Sequence, residues 1–290
     1  GDNVRIALYA SFISEPFQGE EHDLVALWDG KEQARIKSRG YAAEHPVLRF
    51  KVRKPGKCWP AGEGGRVLHA LRLELRHNNE LIASWQRPVG FRTIEVDQRS
   101  DAMGTPFRFL VNGRPVFMKG CDLVPPTPLP SAGQHSSWFA KVRAMQRAGM
   151  NMVRVWAGGV YPPDAFFDAC DTAGILVWQD LMFANMTPLG TEDDRRITGE
   201  MIHQLNRLAD HPSLALWCGN NELDVAWRNW GWQERYDLHG ADSVRVITDH
   251  DTLFRGLQTG WTMRAMAQNY TPTSPLSNWG NAEGLKNGDL

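Results

Sequence analysis

From residue 116 to residue 222 the chain alternates short apolar runs with segments of helical period, and no other feature restricts its fold as much. The runs are VFMKGCDLV (116–124), NMVRVWAG (151–158), ILVWQDLMF (175–183) and SLALWCGNNE (213–222). Between them, residues 136–150 space Trp138, Val142, Met145 and Met150 on one helical face and stop at Gly149. Residues 162–174 open with Pro and end in Gly, the asymmetry of a short helix. Residues 194–209 place Ile197, Met201, Leu205 and Leu208 on a third face, and a further helix is predicted over about 242–268. Wholly apolar strands alternating with helices predict a parallel sheet. Four such units with polar residues at the strand C-termini predict half of a (β/α)8 TIM barrel. An open doubly wound sheet is the alternative, but no glycine-rich dinucleotide loop follows the first strand. A fifth strand is expected only near Leu290.

Residues 1–97 follow a different grammar. Runs at 4–12, 23–29, 47–52, 67–75, 81–86 and 91–96 are separated by turn signals such as PGK, AGEGG and HNNE. Six or seven short strands over this length predict an immunoglobulin-like β-sandwich. The expected architecture is multidomain, β plus α/β: a sandwich over 1–97 and a partial TIM barrel over 98–290. AGEGGR lacks the GK[ST] ending of a phosphate loop and reads as a turn. FLVNGRPVF (109–117) carries an Asn-Gly hairpin signal.

Composition narrows the function. Lys and Arg number 32 against 33 Asp and Glu, which removes the electrostatic case for a nucleic-acid or anionic-membrane partner. No apolar run approaches the ~20 residues of a membrane span. The N-terminus shows no signal peptide and no starting Met, and is expected to lie within a longer protein. Cys58, Cys121, Cys170 and Cys218 stand far apart and form no zinc pattern, so buried free thiols and no metal are expected. The 12 Trp suit apolar sugar faces as well as cores, so they do not decide the matter alone.

In a barrel the strand C-termini carry the site. Here they hold Asp122, then Arg154 and Trp156, then Asp180, then Asn220, Asn221 and Glu222. Glu222 follows LALWC and is expected to enter the barrel mouth with Trp217 below it. Apolar walls would raise its pKa and suit it to protonate a leaving oxygen. From position alone it reads also as a helix-capping or solvated carboxylate just past a strand. Arg154 fits a structural ion pair, or a cation that keeps a second carboxylate ionised. Asp180 and Asp122 fit hydroxyl binding or helix capping. Trp156 and Trp230 fit sugar platforms or core.

Linked motifs go further. HPSLALWCGNNE (211–222) resembles the acid/base segment of glycoside hydrolase family 2 in its β-mannosidase form. FLVNGRPVFMKG, AGMNMVRVWAGGVY, DACDTAGILVWQDLMFA and YTPTSPLSNWG (270–280) resemble the same family in the same order. CWPAGEGGRVLHALRLEL and GFRTIEV resemble the end of its sandwich domain, so the resemblance covers nearly the whole chain.

The resemblance implies a retaining exo-glycosidase acting on terminal β-mannosides through a covalent glycosyl-enzyme, with two carboxyl groups about 5–5.5 Å apart. Glu222 matches the general acid/base, and Asn221 the residue that bonds the sugar 2-hydroxyl. Arg154 matches the cation that contacts the nucleophile. Trp156, Asp180 and Trp230 match the mannose subsite. The family's nucleophile lies on the seventh strand, beyond residue 290, so a fragment is expected, inactive by itself. Here Asp122-Leu123 replace the family's Asn-Trp, Ala157-Gly158-Gly159 its glycine run, and Asn185-Met186-Thr187 follow MFA. An exo-β-glucosaminidase, another family 2 glycosidase or a non-catalytic carbohydrate-binding remnant are the alternatives. The expected partner is a carbohydrate, with no cofactor. Compartment and oligomeric state stay open.

Overall fold

The computed structural model describes residues 3–9, 21–38, 47–126, 135–185, 191–260 and 269–276. The end of the 4–12 run, Met186 and Thr187, helix beyond residue 260 and the end of the 270–280 motif lie outside them. Two compact units divide the chain. One holds residues 1–58 and 67–91, and the other 59–66 and 92–290.

The first unit is all β. Its strands are β1 (Val4–Tyr9), β2 (His22–Trp28), β3 (Lys31–Ser38), β4 (Val47–Val52), β5 (His69–His77) and β6 (Glu80–Val89). β1 pairs with β4, and β3-β2-β5-β6 form a second antiparallel sheet. Alternation sends Leu24, Ala26, Trp28, Leu48, Phe50 and Leu71 into one core. β2 and β3 form a tight hairpin through Asp29 and Gly30, both at positive φ, as a two-residue primed turn requires. β3, KEQARIKS, is absent from the strand pattern read off the sequence: its charges mask the alternation of Ala34 and Ile36.

The second unit opens with β7 (Ile94–Asp97), β8 (Arg108–Val111) and β9 (Arg114–Val116), an antiparallel sheet. The β8–β9 turn is the Asn112-Gly113 pair, at φ 52° and 80°. Then come β10 (Gly120–Leu123), α1 (His135–Arg147), β11 (Met152–Val155), α2 (Asp164–Ala173), β12 (Leu176–Asp180) and α3 (Thr191–Leu208). β13 (Leu214–Cys218), α4 (Leu223–Asn229), α5 (Trp232–Arg235), α6 (Ala241–Gly260) and β14 (Asn269–Thr271) complete it. The fifth strand therefore falls at Asn269–Thr271, earlier than the sequence pattern suggested, because three residues suffice for it.

β10 to β14 form one parallel sheet in strict chain order. That order has no reversal, so it lacks the switch point of a doubly wound sheet. One face carries Val153, Val155, Val177 and Trp217 and packs on Trp138, Phe166, Phe167, Leu208 and Phe254 of the helices. The other face begins with Met152, Leu176 and Leu216, which pack on Phe109, Val111 and Val116 of the hairpin. Further along that face stand Arg154, Trp178, Asp180 and Cys218, so one surface is apolar at its start and polar at its end. Trp217 thus lies on the helix side, not below Glu222 in the mouth as expected; period-two alternation turns it away from Leu216 and Cys218. Cys121 is exposed on β10, at the edge of the sheet, whereas the other three cysteines are buried thiols.

Among the described residues no helix is long and apolar enough to cross a membrane. Asp168, Asp171 and His211 lie close enough to share a cation. Asp171 already accepts from Ser213 N–H at 2.8 Å and meets His211 Nδ1 at 2.7 Å, which ties α2 to the start of β13. This cluster sits at the strand N-termini, the end opposite the polar site.

Candidate active site

The segment Gly219-Asn220-Asn221-Glu222 turns β13 into α4, and each residue is fixed by a different physical need. Gly219 passes against β14 so closely that a Cβ would stand 2.4 Å from both Pro272 O and Tyr270 Oη. Asn220 is fully buried. Its Oδ1 accepts from Leu223 N–H at 3.1 Å and from the Thr273 hydroxyl at 2.7 Å, and its Nδ2 donates to Pro272 O at 3.0 Å. It therefore caps the first turn of α4 and fastens it to the segment after β14. Asn221 N–H donates to Phe183 O, and Glu222 N–H to Ser274 O, both at 2.9 Å. Glu222 itself is left-handed, at φ 60° and ψ 8°. A non-glycine residue there costs roughly 1–3 kcal/mol, so the surrounding bonds hold the Glu222 backbone in a strained conformation.

Side chains link three strand ends. Arg154 donates to Asp180 twice, Nε to Oδ1 at 3.2 Å and Nη2 to Oδ2 at 2.9 Å. Nη2 also donates to Asn221 Oδ1 at 2.9 Å. Asn221 Nδ2 donates to Glu222 Oε2 at 3.2 Å. Two further donors converge on Asp180: Ala157 N–H at 3.1 Å and the Trp178 indole N–H at 3.0 Å. Asp122 stands at the rim, 3.9 Å from Arg154 Nη1. Arg154, Asp180, Asn221 and Glu222 are thus one hydrogen-bonded chain.

Burial raises the Asp180 carboxyl above its usual range, against the downward pull of Arg154, Ala157 N–H and Trp178. Burial also works against the Arg154 charge, but Asp180 outweighs it and raises Arg154. We read the pair as ionised, because four N–H groups point at Asp180 and a protonated carboxyl would need an acceptor instead. Cys218 faces the same pair, and burial raises its thiol well above its usual range. It remains a neutral, apolar floor.

Trp156 and Trp230 are not bonded into this chain. The Trp156 indole lies across Gly158, where a Cβ would meet its ring carbons at 1.9 Å. Glycine at 158 is thus what lets the ring lie at the end of β11. Trp230 closes α4, is 43% exposed and meets Trp232 edge-on. Sequence reasoning passed over Trp178 and the Ala157 amide. Strand parity does put Trp178 on the face of Asp180, but the register that brings Ala157 to β12 is a tertiary fact.

The polar groups gather at the C-terminal ends of a parallel sheet, where barrel enzymes carry their active sites. No protein-family model matches the chain. The β-mannosidase B of Neosartorya fischeri is 37% identical over 177 residues, 60% of this chain and 21% of that protein. The β-mannosidase of Bos taurus is 33% identical over 199 residues, 68% of this chain and 22% of that protein. Among solved structures, the β-D-mannosidase of Dictyoglomus thermophilum superposes with TM-score 0.77 at 24% identity, covering 96% of this chain and 33% of that one. An exo-chitosanase of Amycolatopsis orientalis superposes with TM-score 0.66 at 17% identity, covering 94% of this chain and 29% of that one; these two likenesses concern the fold. The chain belongs with the β-mannosidase-like members of glycoside hydrolase family 2. It spans about a fifth of the length of the curated relatives it matches.

Proposed function

We propose that this chain supplies the acid/base side of a retaining exo-β-mannosidase site, with Glu222 as the proton donor. The observation that carries the reading is the hydrogen-bonded chain Asp180–Arg154–Asn221–Glu222 across the C-terminal ends of three parallel strands. On this reading the first unit is an immunoglobulin-like domain and the second the first half of a TIM barrel, with β7 on the barrel side of the 97/98 boundary expected from the sequence.

The chemistry follows from the residues. Glu222 protonates the glycosidic oxygen as the bond to the anomeric carbon breaks, and its carboxylate later takes a proton from the attacking water. Asn221 spans Arg154 and Glu222 and is the group nearest the acid that can bond the sugar 2-hydroxyl. Trp156 and Trp230 offer apolar faces to the sugar ring and aglycone. Asp180 is held as a charged anchor, and its lone pairs are taken, which argues against it as nucleophile. The second carboxyl group of a retaining mechanism comes, in this reading, from sequence outside these residues.

The test is Glu222→Gln in the intact enzyme that carries this chain. General acid catalysis is worth roughly 10²–10⁴-fold. The variant should lose that on alkyl β-mannosides and far less on aryl β-mannosides with good leaving groups. Equal losses on both would refute the role. Faster turnover of a β-glucosaminide than of the matching β-mannoside would transfer the assignment to the amino-sugar branch.

A further inference from the structure

We infer that Trp178 is a positioning residue: through Asp180 and Arg154 it locks the Asn221 amide, so that Glu222 receives an N–H on Oε2 and carries its transferable proton on Oε1. This rests on the reading of Glu222 as the acid.

Trp178 stands two residues before Asp180 on β12, so both side chains leave the same face. Its indole N–H donates to Asp180 Oδ1 at 3.0 Å. Its ring lies 5.5 Å from the Phe107 ring and 5.5 Å from the Arg154 guanidinium carbon. One rigid side chain thus touches both members of the ion pair, and its own place is set by the apolar cluster of the hairpin.

The rest follows from donor chemistry. A guanidinium only donates, so the amide oxygen of Asn221 must face Arg154. The amide nitrogen must then face Glu222. A carboxylic acid accepts most readily on its carbonyl-type oxygen and carries hydrogen on the other. Oε2 is the acceptor, so Oε1 holds the proton. If Asp180 shifts, Arg154 loses its fork, the amide can flip, and the preference between the two oxygens disappears. Asp180 Oδ1 has two donors, Arg154 Nε at 3.2 Å and the indole at 3.0 Å. Removing the indole N–H therefore leaves that oxygen with the longer bond alone.

The test replaces Trp178 by Phe, and separately by the benzothiophene analogue of tryptophan, which keeps the ring and deletes only the N–H. Two readouts are taken. In ¹⁵N spectra of the intact enzyme, assigned by loss of the signal in Asn221→Ala, the Asn221 side-chain amide should show one bonded, downfield proton. That signature should collapse in both variants. In the intact enzyme, kcat should fall by up to about 10²-fold on poor leaving groups, with little change in KM and a much smaller loss on activated aryl glycosides. An Asn221 signature unchanged in a folded variant overturns the inference. So does a loss equal across leaving groups, since that marks a general structural role. If the intact enzyme hydrolyses no glycoside yet the signature still collapses, the positioning role stands and the proposed function falls.

Discussion

Replacing Asn220 by alanine removes one side chain and strands three partners. Leu223 N–H, the Thr273 hydroxyl and Pro272 O all lose their bond to it, and the side chain is fully buried, so water does not replace it. At about 1 kcal/mol per hydrogen bond the loss is about 3 kcal/mol, and more if the stranded groups stay dry. The damage is local first: Leu223 N–H belongs to the first turn of α4, directly after Glu222. Hydrogen exchange at Leu223 and urea unfolding followed by circular dichroism measure the two scales. Leu223 should exchange near the rate of an open amide, and the unfolding free energy should fall by about 3 kcal/mol. Asn220→Asp keeps the two accepted bonds but buries a charge against Pro272 O. Its burial raises the carboxyl pKa, so its penalty should be smallest in acid, where the protonated group can donate, and should grow as pH rises through the raised value. A loss below about 1 kcal/mol in Asn220→Ala, with Leu223 still protected, would refute the capping role.

Other outcomes follow from the same geometry. Gly219→Ala places a Cβ 2.4 Å from Pro272 O and Tyr270 Oη, so it should part β13 from β14 and cost roughly 1–3 kcal/mol in thermal or urea unfolding. Asp224 is half-buried, which works to raise its carboxyl, but His250 and Arg255 hold it below the usual 3.8. Its contribution should be fully present above that value and lost as pH falls through the lowered one, and Asp224→Asn should flatten that acid limb of the stability curve. The 290-residue chain alone should not turn over aryl β-mannosides, since the four donors on Asp180 leave it no free lone pair for attack; turnover abolished by Asp180→Asn would reverse that.

The parallel sheet was legible because its strands are apolar on both faces and its helices carry clear stops. Gly174 ends α2 in a left-handed cap, as the sequence suggested. β3 was not legible, since a solvated edge strand can be built largely of Lys, Glu, Gln and Arg. Trp217 turns to the helix side rather than toward the mouth, and the period-two alternation between Leu216 and Cys218 already implies it. Candidate residues at the strand ends were readable one strand at a time. Their bonding was not, because Arg154, Asp180 and Asn221 are brought within reach by register across three strands.

The most direct test of the acid/base assignment is azide rescue of Glu222→Ala in the intact enzyme on an activated aryl β-mannoside. If Glu222 is the acid/base of a retaining site, the glycosyl-enzyme still forms, azide attacks it without needing a base, and β-mannosyl azide accumulates as the rate recovers. Absence of rescue, or an azide product of inverted configuration, would contradict it.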